Sequence, residues 1–383
     1  MGDSAQFRYS DVLPAGIRSR QVPDVNGLNV HVLEAGDADA PTVLLLHGFP
    51  ELAYSWRQLM LPLAGAGYHV LAPDLRGYGR TTGTDHRYEV DLSTFRMSHF
   101  VIDSLALLYA KGISEVACVV GHDYGSPVAA HCALIRPDVF RSVVLMSAPF
   151  GGGPSLPFGG TRSPSTTRVD TEADLAALPR PRKHYRWYYS TPPANDDMWR
   201  APQGVHQFLR AYYHMKSADW AENDPEPLSA WRAEDIAKMP TYYVMDAHET
   251  MAETVAHHMP TSEEIERCQW LTEEALSVYS REYERTGFQG GLQSYRCGVD
   301  PIHSADLRLF ARRTIDVPSL YVAGAQDWGV YQTPGALDAM QNRACTDMRG
   351  VHLVAGAGHW VQQERPDEVM AHLLAFLEQL EQS

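Results

Sequence analysis

The chain has 383 residues, 44% of them hydrophobic and 21% charged, the mixture of a globular enzyme with room for a large α/β core and a second module. Its formal net charge of -15, with no long basic run, argues against nucleic acid and membrane as partners. The five cysteines, Cys118, Cys132, Cys268, Cys297 and Cys345, lack C-x-x-C spacing, which excludes a disulfide frame or cysteine metal cluster and points to reduced thiols in a cytoplasm.

The opening "MGDSAQFRYSDV" has neither a basic n-region nor an apolar h-region, so no signal peptide is expected, and Gln6 stands where a myristoylation signal needs Ser or Thr. From residue 28, short apolar runs alternate with amphipathic stretches. "LNVHVLEAG", "PTVLLLHG", "YHVLAPDL", "EVACVVGHD" and "RSVVLMSAP" read as strands. "STFRMSHFVIDSLALLYAKG" reads as a helix capped by Ser93 or Thr94 and stopped at Gly112. Strands alternating with helices predict a mostly parallel, buried sheet.

Within this first half, "HGFP" at 47–50 directly follows a strand. "DLRGYGR" is read as a loop held by Asp74 and Arg76. "GHDYG" puts Asp123 between two glycines, in the G-x-nucleophile-x-G form of a sharp strand-to-helix turn. The alternative for an isolated Asp123 is a helix N-cap. Its context favours the nucleophile, because Asp327 and His359 follow in the order nucleophile, acid, histidine, each just past a strand ("VPSLYVAGAQD", "GVHLVAGAGHW"). The backbone N–H groups of Phe49 and Tyr124 are then candidates for an oxyanion hole.

Residues 151–300 change character. "GGGPSLPFGGTRSPS" reads as a linker, and five of the eight tryptophans follow it in helical segments. A helical cap inserted over the C-terminal ends of the strands is expected, with 1–150 and 301–383 as the core. "KHYRWYYSTPP" carries Tyr185, Tyr188 and Tyr189 on one helix. "LTEEALSVYSREYERTGFQGGLQSYR" reads as a helix stopping at Gly287, then a second helix bearing Tyr295. No pattern places "SADWAENDPEPLSAWRAED" through "HETMAETVAHHMP". His248, His257 and His258 lack H-E-x-x-H spacing and read as an exposed cap surface rather than a metal site. A last helix is expected from about Pro366 to Leu380.

An aspartate already ionised near pH 7 suits displacement at saturated carbon, leaving an alkyl ester that a histidine-activated water then cleaves. A departing halide would need directed N–H donors. A departing epoxide oxygen would need an acid, such as a tyrosine in the cap.

"HGFPE", "DLRGYGRT", "GHDYGS", the tyrosine segments and "GHW" together resemble the soluble epoxide hydrolases of the α/β-hydrolase superfamily, over nearly all of residues 25–380. The resemblance implies the α/β-hydrolase fold with a cap and epoxide hydrolysis without metal or organic cofactor. It implies Asp123 as nucleophile, His359 as base and Asp327 as its orienting acid. The two cap tyrosines fall on Tyr295 and on Tyr185, with Tyr188 or Tyr189 as alternatives to the latter. The Phe49–Pro50 bond would be cis. Phe49, Tyr124, Trp56, Tyr188 and Trp360 are expected to wall a cleft for a largely apolar epoxide and water, in a cytoplasmic monomer or homodimer. The rivals are a dehalogenase using the same aspartate, though Tyr124 stands where such enzymes place Trp or Arg, and a non-catalytic ligand-binding relative.

Overall fold

The computed structural model describes residues 9–154 and 171–382. Gln6 and, from residue 155, the expected linker lie outside the described residues. The main sheet has eight strands: β1 (Arg18–Val25), β2 (Leu28–Ala35), β3 (Thr42–Leu46), β4 (His69–Pro73), β5 (Cys118–His122), β6 (Val143–Met146), β9 (Ser319–Gly324) and β10 (Met348–Val354). Their spatial order is β1-β2-β4-β3-β5-β6-β9-β10, with β1 and β2 antiparallel to their neighbours and every other pairing parallel.

Every residue of β3, β4, β5 and β6 is buried. These strands are covered on both faces, which is why they read as continuous apolar runs without alternation. After β3 the chain crosses to β4 on one side, and it later returns to β5 on the other. That reversal opens a crevice at the carboxyl ends of β3 and β5, the place where open α/β sheets bind ligands. The register carries the alignment across the sheet: Leu46 lies opposite Gly121, His122 opposite Met146, and Met146 opposite Val322.

Two local expectations need correction. The sequence pattern gave no sign of β1, which is polar, carries Pro23, and is mostly exposed at the sheet edge. An edge strand faces solvent and can carry proline, so it lacks the apolar alternation that would announce it. The helix expected from Ser93 starts later, at Met97. A separate turn, Leu92–Phe95, precedes it, and its cap is Asp91, whose carboxylate accepts the Ser93 N–H at 2.9 Å.

Between β6 and β9 lies the cap. Its main helices are Gly204–Lys216, Glu273–Thr286 and Gln289–Val299, with a short helix Tyr185–Tyr189. The unplaced stretch after Lys216 includes β8 (Val244–Asp246), which pairs antiparallel with β7 (Arg182–His184). Strands of three residues are too short for periodicity to reveal. This pair braces the tyrosine helix, because the Tyr185 N–H donates to the Tyr243 carbonyl at 2.8 Å. Two short helices follow, Met251–Ala256 and Ser262–Arg267, each opened by a reciprocal cap, Thr250 with Glu253 and Thr261 with Glu264. The Thr-x-x-Glu spacing was the signal in this stretch that the sequence analysis missed. His257 sits on this surface, paired with Glu249 at 2.9 Å.

Cap and core meet closely at Gly77 and Gly290. A Cβ on Gly77 would meet the Gly290 backbone, and one on Gly290 the Gly77 backbone. The glycines of "RGYG" and "FQGG" therefore permit the approach that lowers helix Gln289–Val299, and Tyr295 with it, onto the sheet. Asp74 holds the same loop, accepting the Ala53 and Arg80 N–H groups at 2.9 Å and facing His31 Nδ1 at 2.8 Å. Arg76 pairs with Asp103 at 2.6 Å.

Candidate active site

Asp123 joins β5 to the helix Gly125–Ile135 with a φ of 51°, a left-handed conformation costly for a non-glycine residue. Close packing enforces it. A Cβ at Gly121 would strike the Gly125 carbonyl, and a Cβ at Gly125 would strike the carbonyls of Leu46 and His47. The side chain is thereby lifted above the carboxyl ends of the strands. Its Oδ1 accepts the Phe49 N–H at 2.9 Å, and only a glycine fits at position 48, where a Cβ would run into Asp123 itself. The Phe49–Pro50 peptide is cis. The Tyr124 N–H lies at the N-cap of the elbow helix, among the donors that a helix start leaves unpaired.

His359 faces this carboxylate, with Nε2 at 3.3 Å from Asp123 Oδ2. That nitrogen is buried and has no aligned hydrogen bond among the described residues. The opposite nitrogen, Nδ1, lies 3.0 Å from Asp327 Oδ1. Asp327, itself buried, also accepts the Gly329 N–H at 2.7 Å and the Ser147 hydroxyl at 2.5 Å. Burial alone would raise the Asp327 carboxyl, but His359, Ser147 and the Gly329 N–H outweigh it and keep it ionised. A carboxylate at Nδ1 fixes the tautomer that leaves Nε2 as the free base.

Ser147 was missed. It ends β6 at a φ of 67°, and its hydroxyl also lies 2.8 Å from His359 Nδ1. The signal available was position, since Ser147 ends the strand next to the elbow strand.

Beneath the site lies a second missed pair. His122 Nδ1 faces Glu51 Oε2 at 2.6 Å, and Nε2 faces the His359 carbonyl at 2.7 Å. Both contacts are acceptors, so both ring nitrogens carry protons and the ring is a cation. Glu51 also binds the Gly48 N–H at 3.1 Å and the Gln362 amide at 2.8 Å, which ties the "HGFP" loop to the segment after His359. For His122, burial lowers the pKa, but Glu51 more than reverses this and raises it. For Glu51, burial raises the pKa, but His122 more than reverses this and lowers it.

The sign of the linkage follows. The raised His122 contributes stability in full below about pH 6.5, its unfolded value, and loses it as pH rises through the folded one. The lowered Glu51 contributes above about pH 4.3 and loses it as pH falls. The thermal midpoint of the wild type should therefore exceed that of a Glu51→Gln/His122→Gln double variant by most between about pH 4.5 and 6.5. The gap should narrow on the alkaline side. A gap independent of pH would refute the charged pair.

A third missed group is Lys216, buried at the end of its helix. Its ammonium lies 4.8 Å from the Tyr243 ring centre and 5.5 Å from that of Trp360. Its carbonyl accepts the His359 N–H at 2.8 Å. Burial would push the Asp123 carboxyl up. The close approach of His359, with Lys216 and His122 behind it, holds that carboxyl well below the usual carboxylate range. The nucleophile candidate is an anion at neutral pH.

A cavity of about 300 Å³ opens onto Asp123. Tyr124, Tyr185 and Tyr295 line it, together with apolar Pro127, Ala148, Pro149, Phe150 and Val299. The Tyr185 and Tyr295 rings lie 5.8 Å apart. Burial raises the pKa of both phenols, and the Asp123 charge adds to this, so both remain protonated donors. Of the three tyrosines left open on the first cap helix, only Tyr185 lines the cavity. Tyr188 donates to Asp197 at 2.7 Å, and Tyr189 to Tyr212 at 3.3 Å. Four expected wall residues are therefore corrected: Phe49, Tyr188, Trp56 and Trp360 do not line this cavity. Trp56 is core. Trp360 backs His359, with ring centres 4.6 Å apart, and donates to the Tyr213 carbonyl at 2.9 Å. Phe49 lies just behind the wall and packs edge-on to Tyr295 at 5.5 Å. Helical spacing does not tell which tyrosine or tryptophan faces a cavity and which faces the core.

A family model described as the alpha/beta hydrolase fold matches residues 41–366. Epoxide hydrolase A of Mycobacterium tuberculosis is 33% identical over 373 residues, covering 96% of this chain and 99% of the relative. Epoxide hydrolase 3 of Siraitia grosvenorii is 30% identical, covering 92% and 96%. Among solved structures, an epoxide hydrolase from an endophytic Streptomyces superposes with a TM-score of 0.75 at 33% identity, covering 97% of this chain and 98% of that one. Potato epoxide hydrolase I superposes at 0.70 with 31% identity, covering 95% and 99%.

Proposed function

The chain belongs to the epoxide hydrolases of the α/β-hydrolase family, and we propose that it adds water to an epoxide through a covalent ester on Asp123. Asp123 Oδ1 rests against the Phe49 N–H, which leaves Oδ2 to attack a ring carbon. The C–O bond of the ring breaks as the new ester bond forms. The departing oxygen takes a proton from Tyr185 or Tyr295, because an alkoxide is too basic to leave unaided. In the second step His359 Nε2 takes a proton from water, and the hydroxide adds to the ester carbonyl. The resulting oxyanion is held by the N–H groups of Phe49 and Tyr124. Collapse breaks the ester C–O bond, the leaving alkoxide takes the proton of the newly formed Asp123 carboxyl to become the diol, and the proton on the imidazolium restores the one lost from the tyrosine. Asp327 and Ser147 hold the ring in its working tautomer.

The observation that carries this reading is the convergence of an ionised carboxylate and two protonated tyrosines on one cavity, with the buried Nε2 of His359 3.3 Å from that carboxylate. The mostly apolar wall supports a largely apolar substrate. The five free thiols support a reducing, cytoplasmic setting. No helix among the described residues is long and apolar enough to cross a membrane.

A single turnover in heavy-oxygen water tests the ester. The label is expected in the Asp123 carboxyl and absent from the diol formed in that first cycle. Label that enters the diol directly would rule out the covalent step.

A further inference from the structure

One cation on the cavity wall has no part in the chemistry above. Arg186 follows Tyr185 on the short cap helix and lines the cavity beside Gln332 and Thr333. It has no carboxylate partner among the described residues. Two of its donors are engaged, each at 3.3 Å and each with a neutral acceptor: Nε with the Tyr185 hydroxyl and Nη2 with Gln332 Oε1. A guanidinium has five N–H donors and is always charged. Two other cap arginines are neutralised by carboxylates. Arg180 meets Asp246 at 2.6 Å and Arg210 meets Glu273 at 2.5 Å. Arg186 thus presents charge and spare donors to the cavity, on a wall whose other side is Pro127, Pro149, Phe150 and Val299.

We propose that Arg186 is an anion-binding subsite and that the substrates fitting this cavity best are epoxides bearing a carboxylate on an otherwise apolar body. This rests on the epoxide hydrolase reading of the same cavity. An anionic substrate enters a protein of net charge -15 and approaches an ionised Asp123, so a facing cation is needed to offset that repulsion. Guanidinium is suited to this, since it meets a carboxylate with two parallel hydrogen bonds. Distance limits the substrate further. Arg186 Nε is 3.3 Å from the Tyr185 oxygen, and the epoxide oxygen would hydrogen-bond to that phenol. A carboxylate on the outer nitrogens therefore stands within roughly 11 Å of the epoxide oxygen. The acid group therefore lies within about nine bonds of the ring and not at the far end of a longer chain.

The test compares three substrates on the wild type: 3-phenylglycidate, its primary amide, and styrene oxide. The acid is expected to exceed the amide in kcat/KM by about 10- to 100-fold, the range of a charge-assisted hydrogen bond. Arg186→Gln should lose at least about tenfold more on the acid than on the amide, and Arg186→Lys should recover part of that difference. Equal losses on acid and amide would overturn the subsite and leave Arg186 as a support for Tyr185. If the variants fail to fold, inhibition of the wild type decides. Cinnamate should compete for the site at least about tenfold more tightly than cinnamamide, and equal inhibition would overturn the proposal. Diol formation from styrene oxide and the amide with no preference for the acid would sink the subsite alone. Turnover of none of the three would sink the epoxide reading with it.

Discussion

Asp123→Ala is expected to abolish diol formation, with a loss of at least about four orders of magnitude in kcat, while the protein stays folded. The size of the effect follows from the chemistry. Among the described residues no other carboxylate lines the cavity to replace the attacking oxygen. The elbow should survive, because its geometry is set by the close approach of Gly121, Gly125 and the carbonyls after β3, not by the carboxylate. Alanine keeps the Cβ already accommodated at a φ of 51°. The variant loses one hydrogen bond, that of the Phe49 N–H, and one counter-charge to Lys216. Diol assay with circular dichroism separates loss of chemistry from loss of fold. Diol formation within about tenfold of the wild type would remove Asp123 from the role of nucleophile.

His359→Gln should uncouple the two half-reactions. Alkylation needs an ionised Asp123 and a proton donor, and both remain. Lys216 and His122 still bias Asp123 towards the anion, and Tyr185 and Tyr295 are untouched. Ester cleavage needs a base at the position of Nε2, which glutamine does not supply. Steady-state turnover is expected to fall by about 10³-fold or more, while one equivalent of enzyme is rapidly esterified. Intact-protein mass should rise by the full mass of the epoxide, since ring opening expels no fragment, and peptide mapping should put the adduct on Asp123. A haloalkane-type displacement would add the substrate mass less the halide. Absence of any adduct from a variant that still binds substrate would count against the two-step scheme.

What the amino-acid order determined by itself was the part written in local signals. Buried parallel strands need continuous apolar runs, so β3, β4, β5, β6 and β9 were legible, and the edge strand β10 showed through its short apolar end. The elbow needs glycine on both sides of one residue, so Asp123 was legible, and the chain order of Asp327 and His359 pointed to the roles proposed for them. Gly287 marked the stop of one helix ahead of the next, which bears Tyr295. All of these depend on a few adjacent residues whose backbone demands only certain side chains can meet.

Other features were decided only by tertiary structure. Ser147, Glu51, His122 and Lys216 are ordinary residues in their own segments. They become part of the site because β6, the "HGFP" loop, β5 and the cap helix converge on His359, and a hydrogen bond such as His122 to the His359 carbonyl spans 237 residues of chain. The choice of Tyr185 over Tyr188 and Tyr189 was likewise invisible, since helical spacing gives a face but not its neighbour. The same holds for Trp56 and Trp360, which packing turned into core, and for Arg186, which packing left facing the cavity without a carboxylate partner. The physical reason is common to all: burial and charge pairing are properties of what surrounds a side chain, and those surroundings are assembled from residues far apart in sequence.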